Sequence, residues 1–267
     1  MSSYDILTSP PKALTFDVFG TVVDWRSTVT KRLIKDASAK SSSPGDLSPE
    51  VKGRLSSISG QDWGQFAQEW RNTYKTFVRN FKPGETEWRD VDTHHHISLI
   101  ELLKEWKLEG LYTDEEVKDL SFVWHFLDPW KDSSAGIKKL GTKFITSTLS
   151  NGNQSLLEDL QSHGNLVFQK LQSAADFKAY KPHPSVYRGA ANAMGLETNE
   201  VAMVATHLGD LMAARETGMR TIYVERYQEE DWDSETKMYK DAREWVDLWV
   251  TESEDGFLEV ARRFGIR

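Results

Sequence analysis

The stretch "LTFDVFGTVVDW", residues 14–25, contains an apolar run that leads into a single aspartate, Asp17. This run predicts a short buried strand over residues 13–19, which stops at Gly20. A carboxylate in this place can bind a metal, act as a nucleophile or cap the following turn. The residue two positions later is Phe19, so no second acid stands there to support metal binding.

The composition indicates a globular protein without thiol chemistry. Of 267 residues, 39% are hydrophobic and 28% are charged, which is enough apolar material for a packed core. The absence of cysteine excludes disulfides, thiolate metal sites and cysteine nucleophiles. A net charge of −8 disfavours a nucleic-acid surface. No signal-peptide pattern or membrane-length apolar run is present, so we expect a soluble cytoplasmic protein that binds neither nucleic acid nor membrane.

Helical patterns dominate residues 25–111. A Ser/Pro/Gly-rich loop is predicted over residues 39–50, and an amphipathic helix over residues 96–106. Between them, aromatic residues recur at steps of three and four, which predicts one aromatic helix face: Trp63, Phe66, Trp70, Tyr74, Phe77 and Phe81. Such an aromatic surface is compatible with a homodimer.

Strands and helices alternate after about Tyr112. Strands are predicted at 143–150, 201–206 and 220–226, with helices between them. This alternation predicts an α/β fold with a parallel sheet and right-handed crossovers. We therefore expect an α/β core made of residues 1–24 and 112–267, interrupted by a helical cap at 25–111.

Polar residues fall where the predicted strands end. Asp17, Ser150 and Asp210 lie at or just past three strands, and Lys181 follows another strand-loop segment. In parallel α/β sheets the ligand site lies beyond the carboxyl ends of the strands. Four groups from four loops are therefore expected to converge in one crevice, with the helical block as its cover.

Four motifs in order resemble those of the haloacid dehalogenase superfamily, and specifically its 2-haloacid dehalogenase branch. They are "FDVFGTVVDW" at 16–25, "TLSNGN" at 148–153, "YKPHPSVY" at 180–187 and "VATHLGDLMAA" at 204–214. The resemblance implies a Rossmann-like core with an inserted helical cap. It also implies hydrolysis of short (S)-2-haloacids to 2-hydroxy acids and halide through an aspartyl ester, without metal or cofactor.

The resemblance assigns catalytic roles to four of these residues. Asp17 is the expected nucleophile, although a lone aspartate after a strand is usually a cap. Lys181 is expected to keep Asp17 ionised and to offset charge during ester formation and breakdown. Asp210 is expected to orient Lys181 and to position or activate water, the alternative being a helix cap. Thr21 is expected to bond to Asp17 or to stabilise the turn.

Phe19 and Ala214 separate this branch from the phosphatases of the superfamily, which carry acids at both places. An acid at the first place protonates a leaving alkoxide, whereas a departing halide needs no proton and Phe19 has none to give. With Asp17 and Asp210 as the remaining acids, tight Mg²⁺ binding is disfavoured. A phosphohydrolase and a non-catalytic binding protein remain as alternatives. Packing in the core is a second role open to Phe19.

Substrate contacts are expected from five residues. Arg71 follows Trp70 in the predicted cap helix, and the resemblance implies that it binds the substrate carboxylate or the halide; the alternative is a solvated surface arginine. Ser150 and Asn151 precede a helix, where hydroxyl, amide and backbone N–H groups suit a carboxylate, or simply cap the helix. Tyr187 matches a site tyrosine of the branch, or packs on the core. Phe19 lies beside the nucleophile.

The fourth motif departs from the branch at three positions. Members usually have Ser at the place of Ala205, Asn at the place of His207 and an aromatic residue at the place of Gly209. His207 can replace the asparagine in holding water, or act as a base near neutral pH. Loss of the aromatic side chain at Gly209 predicts a larger pocket. The run His94–His96 is not expected to hold one metal, because adjacent helical positions point in different directions.

Overall fold

A computed structural model describes residues 5–42, 45 and 47–267. Two compact units are present, one formed by the segments up to Asp24 and from Asp128 onward, the other by Trp25–Leu127. In chain order, the elements are β1 Ala13–Phe16, α1 Trp25–Ser42, α2 Pro49–Ser56, α3 Gly60–Asn80, α4 Val91–Glu105, α5 Asp114–Ser121, α6 Ser133–Leu140, β2 Ile145–Thr148, α7 Gln154–His163, α8 Pro184–Ala193, β3 Val201–Ala205, α9 Leu208–Glu216, β4 Arg220–Val224, α10 Lys237–Trp245, β5 Leu248–Val250 and α11 Gly256–Arg263. Short 3₁₀ turns cover Phe122–His125, Ala174–Phe177 and Thr198–Glu200.

The first unit is built on a five-stranded parallel sheet in the order β2-β1-β3-β4-β5. Phe16, the last residue of β1, is paired with Thr148 on one side and Val204 on the other. The chain runs from β1 outward to β2 and then returns to β3 on the opposite side. The carboxyl ends of β1 and β3 therefore form the switch point at which ligands bind in such sheets. The predicted α/β class with a parallel sheet is confirmed.

The strands are almost wholly buried, as expected for a sheet covered on two sides, although β2 carries the hydroxyl residues Thr146, Ser147 and Thr148. All five residues of β3, "VAMVA", are buried, and so are the last four of β4. Helices α6 and α11 pack closely enough that a Cβ on Gly136 would overlap the Phe257 side chain. Asp17, directly after β1, is held at the sheet edge by its N–H, which donates to the Val204 carbonyl of β3 at 3.0 Å.

The second unit contains α1–α5 and the 3₁₀ turn Phe122–His125. Helix α3 carries the predicted aromatic face: Trp63, Phe66, Trp70 and Tyr74 are buried. The Trp70 indole N–H lies 3.2 Å from both the His95 carbonyl and the Ser98 hydroxyl. The unit ends at Leu127, beyond the expected boundary at 111, because α5 packs on α4 and the 3₁₀ turn packs on α1.

The adjacent histidines of α4 take part in ring packing. His94 stacks on Phe77 at 4.5 Å, and His95 stacks on Trp124 at 4.4 Å. Burial lowers the pKa of His94 to about 4 and lowers that of His95 well below its usual range. Both rings are therefore neutral near pH 7 and act as core aromatics.

Two predicted segments include positions that the structure does not describe. Within the expected loop 39–50, α1 continues to Ser42 and α2 begins at Pro49, while positions 43, 44 and 46 lie outside the described residues. The same holds for positions 1–4 of the expected core segment 1–24. In the described part of the chain, no helix combines the length and hydropathy needed to cross a membrane.

Candidate active site

Asp17 lies directly after β1, and its side chain is held by three polar neighbours. Thr21 donates to its Oδ2 atom at 2.8 Å, and Lys181 donates to its Oδ1 atom at 2.8 Å. The Nδ1 atom of His207 lies 3.3 Å from Oδ2. Three of the other four predicted catalytic residues therefore contact Asp17 directly.

The turn after Asp17 is fixed by bonds from distant parts of the unit. The Thr21 hydroxyl accepts the Thr206 N–H at 3.0 Å, which leaves its proton directed at Asp17. The Thr21 carbonyl accepts from the Arg226 guanidinium at 3.1 Å. Arg226 is itself locked by a two-pronged ion pair with Asp132 at 2.6 and 2.8 Å. These contacts tie the turn after Asp17 to β3 and to the segment after β4.

Lys181 bridges two carboxylates. Its ammonium lies 2.8 Å from Asp17 and 2.7 Å from Asp210, and the exposed fractions of the Lys181, Asp17 and Asp210 side chains are 7%, 12% and 11%. The main chain of Lys181 is clamped by Asn151, whose Oδ1 accepts the Lys181 N–H at 2.7 Å and whose amide donates to its carbonyl at 3.4 Å. Asn151 thus positions Lys181, and its predicted substrate contact would have to use the other amide N–H.

Asp210, the remaining predicted catalytic residue, lies in the first turn of α9. Its Oδ2 accepts from Lys181, and its Oδ1 accepts the Tyr187 hydroxyl at 2.6 Å. Tyr187 is fully buried in α8. Its hydroxyl is therefore engaged with Asp210, and a substrate contact by Tyr187 stays a prediction.

Ser150 follows the carboxyl end of β2, the strand next to β1. Its hydroxyl accepts the Gly152 N–H at 3.1 Å just before α7 begins at Gln154. The Phe19 ring lies against the same turn, since a Cβ on Gly152 would be 3.3 Å from it. Phe19 is 3% exposed, so its core-packing role is confirmed by the structure and its predicted substrate contact stays a prediction.

A segment that no sequence motif singled out follows β4 and borders the site. Glu229 lies 3.5 Å from His207 Nε2, and Glu230 accepts the Leu208 N–H at the start of α9 at 2.8 Å. The Trp232 indole lies 3.8 Å from the place of a Cβ on Gly209. A Cβ at Gly209 would be in ordinary van der Waals contact with Trp232, and the larger pocket expected at this position stays a prediction.

The charges of the cluster are set by mutual contact. Burial alone would raise the pKa of Asp17, but the Lys181 ammonium and the bond from His207 hold it well below its usual range. Burial opposes a charged Lys181, yet Asp17 and Asp210 raise the pKa of its ammonium. The Asp17 carboxylate is thus an anion at neutral pH.

His207 is a cation at neutral pH. Burial disfavours the imidazolium, but the contacts with the Asp17 and Glu229 carboxylates raise the pKa of His207 to about 9. A ring that already holds its proton cannot accept another, so this geometry disfavours the base role considered for His207.

Arg71 belongs to the second unit and is buried there. Its guanidinium lies over the Tyr74 ring at 4.7 Å and over the Trp25 ring at 5.7 Å, and 5% of the residue is exposed. The alternative of a solvated surface arginine is therefore excluded. Its predicted anion contact stays a prediction.

Among residues 5–42, 45 and 47–267, no group of three or more His, Asp or Glu side chains is arranged to hold a metal ion. The place between Asp17 and Asp210 is taken by the Lys181 ammonium.

The sequence of residues 68–224 matches the family model of the haloacid dehalogenase-like hydrolases. The chain belongs to the haloacid dehalogenase-like hydrolase family. The resemblance found in the four motifs is thereby confirmed for the family.

Relatives of this haloacid dehalogenase-like hydrolase align with most of its length. It is 27% identical to (S)-2-haloacid dehalogenase 4A of Burkholderia cepacia over 80% of this chain and 83% of that protein. It is 26% identical to (S)-2-haloacid dehalogenase 1 of a Pseudomonas species over 81% of this chain and 86% of that protein. The crystal structure of an L-2-haloacid dehalogenase superposes with a TM-score of 0.76 at 29% identity, over 95% of this chain and 99% of the other. The crystal structure of a defluorinating L-2-haloacid dehalogenase superposes with a TM-score of 0.75 at 28% identity, over 96% of this chain and 95% of the other.

The Tyr187–Asp210 bond yields a stability prediction. Tyr187→Phe removes a hydroxyl from a buried carboxylate and is expected to lower the free energy of unfolding by about 2 kcal/mol, as for other bonds to charged groups. Tyr223→Phe is the matched control, because Tyr223 is also buried and its hydroxyl has no partner among the described residues. Urea unfolding at pH 7 measures both variants. Equal stability of the two would contradict the importance of the bond.

Proposed function

We propose that this protein is a hydrolytic dehalogenase that converts short (S)-2-haloacids to 2-hydroxy acids and halide through an aspartyl ester, without a metal ion. The observation that carries the proposal is the Asp17 carboxylate, held ionised by Lys181, with Phe19 where a phosphatase needs an acid. The names of its relatives support the same substrate class.

In the first step, a lone pair of Asp17 Oδ1 attacks the carbon that bears the halogen, and the carbon–halogen bond breaks. Oδ1 is the favoured oxygen because it accepts one bond, from Lys181, whereas Oδ2 faces both Thr21 and His207. The halide leaves with its electron pair and needs no proton.

The substrate carboxylate is proposed to lie at the Ser150 turn before α7. The Ser150 hydroxyl already accepts from Gly152 and keeps its own proton for a ligand. The N-terminus of α7 adds backbone N–H groups that favour an anion. Asn151 and Tyr187 are proposed to act mainly by holding Lys181 and Asp210.

In the second step, water attacks the Cγ atom of the ester and the Cγ–Oδ1 bond breaks. Oδ1 then leaves as the hydroxyl oxygen of the product, and the water oxygen restores the Asp17 carboxylate. Asp210 is proposed to take one proton from the water, and Lys181 to donate a proton to the departing oxygen and regain one from Asp210. The second water proton leaves to solvent when the restored Asp17 carboxyl ionises.

The test is halide release from (S)- and (R)-2-chloropropionate with a chelator present, beside phosphate release from p-nitrophenyl phosphate with and without Mg²⁺. We expect chloride from the (S) enantiomer alone and no phosphate. A single turnover in ¹⁸O-labelled water should place the label in Asp17, which mass spectrometry of the peptide detects. Mg²⁺-dependent phosphate release without halide release would instead show a phosphohydrolase, and no turnover of either class would show a non-catalytic protein.

A further inference from the structure

His207 lies between two carboxylates on opposite sides of its ring. Its Nδ1 atom is 3.3 Å from Asp17 Oδ2, and its Nε2 atom is 3.5 Å from Glu229 Oε2. The Glu229 and His207 side chains are 4% and 16% exposed. With a carboxylate at each nitrogen, the ring presents N–H donors to both sides, and turning away from Asp17 would also break its contact with Glu229.

Glu229 packs against the turn that follows Asp17. Gly20, three residues after Asp17, has φ +88°, and a Cβ at this residue would overlap the Glu229 carboxylate. The Glu229 N–H also bonds to the carbonyl of Arg226, whose guanidinium holds the Thr21 carbonyl. Glu229 is thus tied to the same turn that carries the nucleophile.

Two donors already point at Asp17 Oδ2 before any substrate arrives. Thr21 donates from 2.8 Å, and its hydroxyl is fixed as a donor because it accepts the Thr206 N–H. His207 approaches the same oxygen with its Nδ1 atom, while its Nε2 atom faces Glu229. If the ester forms through Oδ1, then Oδ2 becomes the ester carbonyl oxygen, and water attack on Cγ places the negative charge on it.

We propose that Thr21 and His207 form the oxyanion hole for hydrolysis of the aspartyl ester, and that Glu229 is the positioning residue that keeps His207 directed at Oδ2. The inference rests on the proposed function and concerns its second step. Donors aimed at the place where charge develops lower the barrier, because they need no reorganisation during the reaction. His207 keeps its proton throughout this step, so it acts as a donor and not as a base.

The charged groups around His207 make the step sensitive to pH. Asp17 faces the ring from the end of β1, Glu229 and Glu230 from the segment after β4, and Lys181 lies beyond Asp17. Burial disfavours the charged ring, but the contacts with the Asp17 and Glu229 carboxylates outweigh the effect of burial and raise the pKa of His207 to about 9. In the ester, Asp17 carries no charge and supports the imidazolium less, so the pKa of His207 is then lower than in the free protein. Ester hydrolysis is therefore expected to fall on the alkaline side at a pH below about 9.

The test is rapid-quench mass spectrometry of the ester on Asp17 in the wild type and in Glu229→Gln, with 2-chloropropionate as substrate. Loss of the charge is expected to slow ester hydrolysis roughly 10-fold relative to ester formation, so that the ester accumulates. Glu235→Gln, an exposed acid of the same segment, is the matched control and should hydrolyse the ester like the wild type. In Glu229→Gln the alkaline fall should begin at lower pH.

Two further measurements keep this test decisive. His207→Asn retains a neutral donor and should lose the alkaline fall together with part of the hydrolysis rate. NMR titration of the His207 ring needs no turnover, and Glu229→Gln should lower the pKa of His207. An unchanged ring pKa together with unchanged ester hydrolysis would overturn the role of Glu229. The absence of any ester in the wild type would instead overturn the proposed function, and the ring titration would still report on the His207–Glu229 contact.

Discussion

Replacement of Asp17 by asparagine is expected to lower halide release from 2-chloropropionate roughly 10⁴-fold or more, as when other covalent enzymes lose their nucleophile. An amide nitrogen has no available lone pair, and an amide oxygen is a weak nucleophile. The amide introduced at position 17 would also present an N–H₂ group either to the Lys181 ammonium or to Thr21 and His207, which are donors to the carboxylate. Chloride release under saturating substrate measures the loss.

Two variants separate this effect from damage to the fold. Asp17→Ala guards against slow conversion of the asparagine back to aspartate, and should be equally inactive. Asp114→Asn removes an exposed carboxylate at the start of α5 and should keep full activity. Circular dichroism and urea unfolding establish that the variants are folded. Halide release by folded Asp17→Ala at the wild-type rate would rule out the covalent mechanism.

The parts of the fold that could be predicted from sequence are those with local signals. The predicted strands β1–β4 are short runs rich in apolar and β-branched residues that end at polar residues, so both the parallel sheet and the strand-end positions of Asp17 and Ser150 followed from pattern alone. Strand β5 has three residues within "VDLWVTE", which is too short to show a period. The segment 165–174 pairs with neighbouring chain through isolated bridges at Lys170 and Ser173.

The site was predictable as a set of residues but less so as a set of contacts. Glu229 lies in the acidic run "ERYQEEDWD", which has the composition of a solvated loop, and its approach to His207 depends on the fold. The one available signal is that this run follows the carboxyl end of β4, the same rule that pointed to Asp17. Asn151 illustrates the converse, because sequence cannot distinguish an amide that binds substrate from one that binds the Lys181 main chain.

Replacement of Lys181 by methionine is expected to lower the free energy of unfolding by about 3–5 kcal/mol at pH 7, as when one partner of a buried ion pair is removed. Asp17 and Asp210 would then face each other in a buried site without the ammonium between them. The pKa of Asp17 would rise, so that ester formation falls steeply as well. Lys139→Met, on the exposed side of α6, is the matched control and should change neither property.

The pH dependence of this loss has a definite sign. In the wild type the pKa of folded Asp17 lies below its unfolded value, so its contribution to stability is present above about pH 4 and is lost as the pH falls further. In Lys181→Met the carboxylate is destabilised by burial, and protonation relieves the penalty. The stability difference between the two proteins should therefore shrink from pH 7 toward pH 4, which urea unfolding at both values measures.

A double variant tests whether the pair itself is responsible. Asp17→Asn removes the charge that Lys181→Met leaves uncompensated, so the double variant should be more stable at pH 7 than Lys181→Met alone. The coupling energy from this double-mutant cycle measures the Asp17–Lys181 contact. It is separate from the Lys181–Asp210 contact, which the Asp17→Asn single variant retains. Additive effects of the two substitutions would mean that Lys181 stabilises the site mainly through Asp210 and packing, and that the low pKa of Asp17 depends mainly on His207.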